Sequence, residues 1–378
     1  MISTDDLTKI YLDLSAEHKS DAILAEIDAL WSSESYKAWH ADKDNQVHAF
    51  RIEGDWKYLT ETGFIRDSSL QIRINKIGNR YFLTDAPWLS HRFAAFPYSE
   101  ESESLISHAY HERLHLWADT IIDMSAGCGH TPLGIQVEAD RYVYDINARA
   151  LAYARLNALI NRLPESRVSI AFNDMKKNLP PSLLSLRGRK VLFLFNTPFV
   201  PNPSPSSLEA MPISVDGGAV GSDLQVRSFE VVAEFKRRFP EKQVRALFLT
   251  WSFGRFHDGF WDLQEQCDKI LNAKTKWSFA SFLSDEPGNG CDVQENFDYL
   301  QDSSWVLRKD PIVAKSFAQL ADDQASKGFA QLGYGILSYR GDAMPTVQRR
   351  TKLRRVRALN LPLSQTDGGE QPVSNVHI

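Results

Sequence analysis

The chain has 378 residues, of which 43% are apolar and 24% charged, with a formal net charge of −5. That is enough apolar material for one large core and a smaller accessory unit, and the slight acidity gives no general field to gather polyanions, so a small-molecule or protein partner is expected rather than nucleic acid. Cys128, Cys267 and Cys291 lie far apart with no CxxC pair, which supports neither a disulfide framework nor a cysteine-rich zinc site.

Met1-Ile2-Ser3-Thr4-Asp5-Asp6 has neither the basic start nor the apolar stretch of a secretory leader, and no apolar run approaches the ~20 residues that cross a bilayer. A cytoplasmic protein without membrane contact is expected. From Ile10 to Trp39, Leu12, Leu14, Ile23, Ile27, Leu30 and Trp31 recur at helical spacing among acidic and basic residues. Leu70 to Ile74 alternates at period two, Gly78-Asn79 is a turn, and Arg80 to Thr84 is a second strand. Residues 1–103 therefore read as an α+β accessory domain that caps a substrate site. Its aromatic residues Trp88, Phe93, Phe96 and Tyr98 form either a lid or a core between the two units, and Phe96 and Tyr98 are expected on the substrate side.

A helix is predicted from about Ser104 through His108, Tyr110 and Leu114. His108, His111 and His115 share one face of it without an accompanying carboxylate pattern, so they read as packed or solvated and no metal is expected. Strands follow at Thr120–Met124, Arg141–Tyr144, Val168–Phe172, Val191–Phe195, Val244–Trp251, Trp277–Leu283 and Leu332–Tyr339, mostly with helices between. This alternation predicts an α/β, Rossmann-like, seven-stranded and mostly parallel sheet over residues 104–345. The insert 284–329 before the last strand suits an antiparallel final strand. The tail 346–378, with the basic run Arg349 to Arg355, reads as a loosely packed, solvated end.

Four chemical signals lie between Ile121 and Phe199, in a fixed order. First, Ile121 to Asp123 is a buried strand leading into Met124-Ser125-Ala126-Gly127-Cys128-Gly129, whose glycines can take positive φ and let backbone approach a ligand or simply make a tight turn. Pro132 and Leu133 stand where a dinucleotide fingerprint would continue, which disfavours a pyrophosphate ligand. Second, Asp145 ends the next strand before Ile146-Asn147, where a carboxylate either accepts both ribose hydroxyls or, with Asn147, caps the following helix. Third, in Asn173-Asp174-Met175, Asp174 either accepts from an adenine amine while Met175 covers the ring, or makes an Asx turn. Fourth comes Asn196-Thr197-Pro198-Phe199.

Together these residues resemble the class I S-adenosylmethionine-dependent methyltransferases across roughly Ser104 to Arg340, and the last motif resembles the Asn-Pro-Pro-Tyr group that methylates planar nitrogens. Phe195 to Pro201, followed by Asp216-Gly217-Gly218 and Gly221-Ser222-Asp223, is similar to the release-factor glutamine methyltransferases and their small-molecule relatives. The resemblance implies S-adenosylmethionine as cofactor and S-adenosylhomocysteine as product. It implies that Asp123, Ser125, Ala126, Gly127 and Gly129 contact the methionine portion, Asp145 the ribose and Asp174 the adenine, with Ile146, Asn173, Met175 and Asn196 also beside the cofactor.

A delocalised amide or aromatic amine is a poor nucleophile, so its nitrogen must be held in line with the methyl group. The Asn196 oxygen and the Thr197 carbonyl can accept its N–H bonds, Phe199 offers an aromatic face, and Pro198 stiffens the loop. Thr197 in place of the first proline and Phe199 in place of tyrosine point away from glutamine and towards a small-molecule acceptor. A protein glutamine, a nucleic-acid amine, or a non-catalytic cofactor-binding module are the alternatives. Asp216-Gly217-Gly218 reads as an architectural turn, while Phe253 and His257 are expected to touch the acceptor from the same sheet edge.

Overall fold

The computed structural model of the chain describes residues 2–16, 19–41, 50–86, 92–95, 99–202, 212–255, 260–279, 291–292, 311–329 and 331–341. Trp88, Phe96, Tyr98, His257, much of the insert 284–329 and the tail with its basic run lie outside them.

The N-terminal helical stretch is three helices, α1 (Thr4–Ala16), α2 (Ser20–Ser32) and α3 (Glu34–Ala41), with extended Ser33 (φ −66°, ψ 141°) breaking the last two apart. The short α4 (Lys57–Glu61) leads into a small pair, β1 (Ile65–Arg66) and β2 (Ser69–Leu70), and the hairpin β3 (Ile72–Ile77) and β4 (Arg80–Asp85) follows. Then come α5 (Glu100–His111), α6 (Leu114–Trp117), β5 (Thr120–Asp123), α7 (His130–Gly134), β6 (Asp140–Asp145) and α8 (Ala148–Ile160). The chain continues through β7 (Val168–Phe172), β8 (Lys190–Phe195), α9 (Asp223–Arg238), β9 (Gln243–Arg255), β10 (Phe260–Trp261) and α10 (Asp262–Leu271). The remaining elements are β11 (Lys276–Phe279), β12 (Cys291–Asp292), α11 (Pro311–Ser326) and β13 (Gln331–Arg340).

The main sheet runs β7-β6-β5-β8-β9-β13-β11, with β10 and β12 as short additions at its margin. Strands β7, β6, β5, β8 and β9 pair in parallel, and β13 is antiparallel to both β9 and β11, so the fold is Rossmann-like with an antiparallel last strand. Period-two alternation gives the sheet two buried faces. Val191, Phe193 and Phe195 of β8 enter one core with Phe229 and Phe235 of α9, while Leu192 and Leu194 enter the other with Leu105 and Ile106 of α5.

A third apolar cluster joins the N-terminal unit to the sheet unit: Ile2, Leu7, Ile27, Ile72 and Ile74 share it with Ala152, Tyr153, Leu156 and Ile160 of α8. Polar contacts reinforce the seam. Asn157 of α8 accepts from the Leu83 N–H at 2.7 Å and donates to the Leu83 carbonyl at 3.1 Å, and Asn161, one turn later, does the same for Tyr81 at 2.9 and 2.6 Å. Two amides thus complete the outer edge of β4, whose backbone groups would otherwise lack ladder partners. Nearby, the buried Arg149 guanidinium donates to both oxygens of the buried Asp85 carboxylate and to the Ile2 carbonyl, while Tyr153 donates to Asp85 at 3.0 Å.

Helix α5 begins at Glu100, one turn earlier than its apolar spacing suggests. Its buried His108 hydrogen-bonds Ser338 of β13 at 2.9 Å through Nε2, and burial lowers its pKa to about 4, so the ring is neutral at physiological pH. Glu112 pairs with Lys276 at 3.0 Å and with Arg340. Among the described residues no group of three or more His, Cys, Asp or Glu could hold a metal, and no helix is long and apolar enough to cross a membrane.

Candidate functional site

The parallel strands deliver their carboxyl ends to one rim, where open α/β sheets bind ligands. At the end of β5, the Asp123 carboxyl is 1% exposed and accepts the Ser125 N–H at 3.0 Å. Burial, added to by the nearby Asp145 carboxyl, raises its pKa to about 8, so it holds a proton at neutral pH. The loop then turns on Gly127 (φ +54°) and Gly129 (φ +80°). A Cβ on Gly129 would lie 2.6 Å from Leu133 Cδ1, whereas one on Gly127 would meet nothing within 4 Å. The loop is therefore a tight turn on one side and faces open space on the other.

Asp145 closes β6 beside it. One carboxylate oxygen accepts the Gly127 N–H and the other the Asn147 N–H, each at 2.7 Å. Burial raises its pKa against the pull of these backbone donors. Capping of α8 falls to Asn147 instead, whose side-chain oxygen accepts from Arg149 and Ala150 N–H at 3.0 and 3.4 Å while its amide donates to the Phe93 carbonyl at 3.1 Å. A carboxylate has about four lone-pair directions. Three are used by the N–H groups of Gly127, Asn147 and Ile146, which leaves one for a ribose hydroxyl. Ile146, beside it, is 49% exposed.

At the end of β7, Asn173 donates its backbone N–H to the Asp145 carbonyl at 3.0 Å, and its buried Nδ2 has no hydrogen-bond partner. Asp174 makes an Asx turn, accepting the Lys176 N–H at 3.0 Å, with its second oxygen 3.9 Å from Lys177 Nζ. Met175 is buried with Ile122, Met124 and Tyr144.

The fourth segment leaves β8. Asn196 is partly exposed, and its Nδ2 donates to Ser102 Oγ of α5 at 3.2 Å, so the acceptor end of the amide is not used in that bond. Thr197 is buried and Pro198 partly so. The Phe199 ring stands edge-to-face against Trp251 (5.7 Å, 78°) and Tyr334 (5.2 Å, 87°), and Tyr334 donates to Glu101 at 3.4 Å. Behind the loop, Val200 donates its N–H to the Val215 carbonyl and accepts the Gly217 N–H, both at 2.9 Å, and a Cβ at Gly217 would lie 2.6 Å from Phe199 Cα. Only glycine lets these two backbones touch. Phe253 is buried with Trp251, Phe317 and Leu332 in the apolar wall behind Phe199 and Val200. Phe96, Tyr98 and His257 lie outside the described residues.

Ser102, Glu101 and Tyr334 are site residues that sequence patterns miss. The first two sit in an acidic helical turn that looks like ordinary solvated surface, and Tyr334 occupies one position of an alternating strand.

No protein-family model and no curated protein matches the sequence. Among solved structures, the chain is similar to the tRNA m1G37 methyltransferase of M. jannaschii (16% identity, 47% of this chain and 44% of that one, TM-score 0.25). It is also similar to phosphoethanolamine N-methyltransferase 2 of Haemonchus contortus, solved with S-adenosyl-L-methionine (11% identity, 58% and 48%, TM-score 0.29), and to the cyclase SpnF (14% identity, 67% and 86%, TM-score 0.34). The chain spans less than half the length of the first two. At such identities and TM-scores the functional reading rests on the site itself.

Proposed function

We propose that the chain is an S-adenosylmethionine-dependent methyltransferase acting on a planar nitrogen of a small molecule. One observation carries the reading: the Asn196 amide, held through its nitrogen by Ser102, stands on the same sheet rim as the carboxyl groups of Asp123 and Asp145.

The residues fit an adenosyl amino acid. Asp145 keeps acceptor capacity at the rim for a ribose hydroxyl, Asn173 has an orphaned amide donor for a ring nitrogen, and the open space beside Gly127 admits an extended chain. Asp123, protonated when alone, would ionise beside an ammonium group. When bound, the cofactor supplies a methyl group on a positively charged sulfur. Asn196 Oδ1 and the Thr197 carbonyl would accept N–H bonds from the acceptor, turning its nitrogen lone pair towards that methyl, and Phe199 with its two aromatic neighbours would fix the plane. The departing proton needs no strong base, because it leaves a nitrogen already made acidic by alkylation.

Calorimetry with S-adenosylhomocysteine, followed by transfer of labelled methyl groups into a fractionated metabolite extract, tests the proposal. Binding with transfer that Asn196→Ala lowers about 100-fold or more, at unchanged product affinity, supports it. Absence of binding refutes it, and binding with transfer indifferent to Asn196 leaves a cofactor-binding module. Transfer into tRNA or protein fractions, rather than the small-molecule fraction, would overturn the acceptor class.

A further inference from the structure

Resting on the methyltransferase reading, we infer that the acceptor carries a positive charge beside its reacting nitrogen, and that Glu101 recognises it. Three contacts converge. Ser102 grips Asn196, the residue before it, Glu101, accepts from Tyr334, and Tyr334 lies edge-on to Phe199. The turn of α5 that orients the acceptor amide therefore also sets a carboxylate at the edge of the aromatic group.

The lining is one-sided in its chemistry. Asn196 carries an amide oxygen, Thr197 a backbone carbonyl, Phe199 and Tyr334 aromatic rings packed edge-to-face, and partly exposed Glu101 a carboxylate with one lone pair taken by the Tyr334 hydroxyl. All of these attract N–H donors and cations; an anionic acceptor would be repelled by Glu101 and a neutral one would gain little from it. A positive group on the acceptor would also face the cationic sulfonium across the site, a repulsion that a carboxylate on the acceptor side offsets. The reacting nitrogen itself stays neutral: its lone pair forms the N–C bond, the C–S bond breaks with its electrons returning to sulfur, and a proton then leaves nitrogen for solvent.

The probes are benzamidinium, benzamide and benzoate, planar and near-isosteric but cationic, neutral and anionic, titrated by tryptophan fluorescence and saturation-transfer NMR against protein saturated with S-adenosylhomocysteine. Benzamidinium is expected to bind about tenfold or more tightly than the other two, and Glu101→Gln to erase that preference without changing product affinity. Tyr334→Phe, which frees the lone pair that the hydroxyl occupies, is expected to retain the preference that Glu101→Gln erases. Equal binding of benzamide and benzamidinium, a preference that survives Glu101→Gln, or no binding of benzamidinium to the loaded protein overturns the inference. Failure of the protein to bind S-adenosylhomocysteine is a separate outcome, and overturns the parent reading with it.

Discussion

Asn196 at the end of β8 and Ser102 in the first turn of α5 are joined by a 3.2 Å hydrogen bond from Nδ2 to Oγ. The bond decides which end of the amide faces the rim. Losing it frees the amide to rotate, and orientation is where such a site gains its rate. Ser102→Ala is expected to lower single-turnover methyl transfer about tenfold with product affinity intact, and Ser102→Thr to restore most of it. A structural role alone would instead move the melting temperature.

The two Asp145 carboxylate oxygens accept from Gly127 N–H and Asn147 N–H, with Ile146 N–H as a further backbone contact. In Asp145→Asn one carboxylate oxygen becomes an amide nitrogen, which cannot accept either bond. The variant is expected to leave one buried N–H unpaired, costing about 1–3 kcal/mol in urea unfolding, and to weaken S-adenosylhomocysteine at least about tenfold in calorimetry.

The pH dependence of Asp123 has an unusual sign for a carboxyl group. Its folded pKa is raised from 3.8 to about 8, so between those values the native state keeps a proton that the unfolded chain gives up. Stability from this group therefore falls as pH rises through that window. Urea midpoints of the free protein should decline from about pH 5 to about pH 8, and Asp123→Asn should flatten the decline. Product binding near neutrality should release a proton, seen as a calorimetric enthalpy that varies with the ionisation enthalpy of the buffer.

Gly217 touches the backbone of Phe199, where a methyl group would lie 2.6 Å from Cα. Gly217→Ala is expected to push the 196–201 loop inward and cost about 1–3 kcal/mol, with transfer lost before cofactor binding is. Gly127→Ala meets no atom within 4 Å and differs only by its positive φ, so about 1 kcal/mol is expected there.

The buried Asp85–Arg149 pair offers a stability test away from the rim. Asp85→Ala strands a guanidinium 4% exposed and is expected to cost about 3–5 kcal/mol by chemical denaturation.

The sheet was legible because strands buried on both faces read as apolar runs; β8, predicted over Val191–Phe195, spans Lys190–Phe195. β9 runs to Arg255, four residues beyond its predicted end, because antiparallel β13 pairs with it from Arg245 through Gly254, and long-range pairing leaves no local signature. The rim acids were legible as strand-ending carboxylates. Which side chain caps α8 was not, since Asp145 and Asn147 can both serve as caps and only the fold turns Asp145 towards Gly127. Ser102 and Glu101 reach the site from a segment some ninety residues earlier in the chain, a proximity that only tertiary packing creates.

Asn157 and Asn161, by standing in for a neighbouring strand along β4, have a consequence for how the chain can be divided or inherited. A fragment starting at α5 would carry two polar side chains and an apolar helix face shaped for a hairpin it no longer has. Such a fragment should aggregate or stay soluble only at low yield, and supplying residues 1–99 as a separate polypeptide should rescue it.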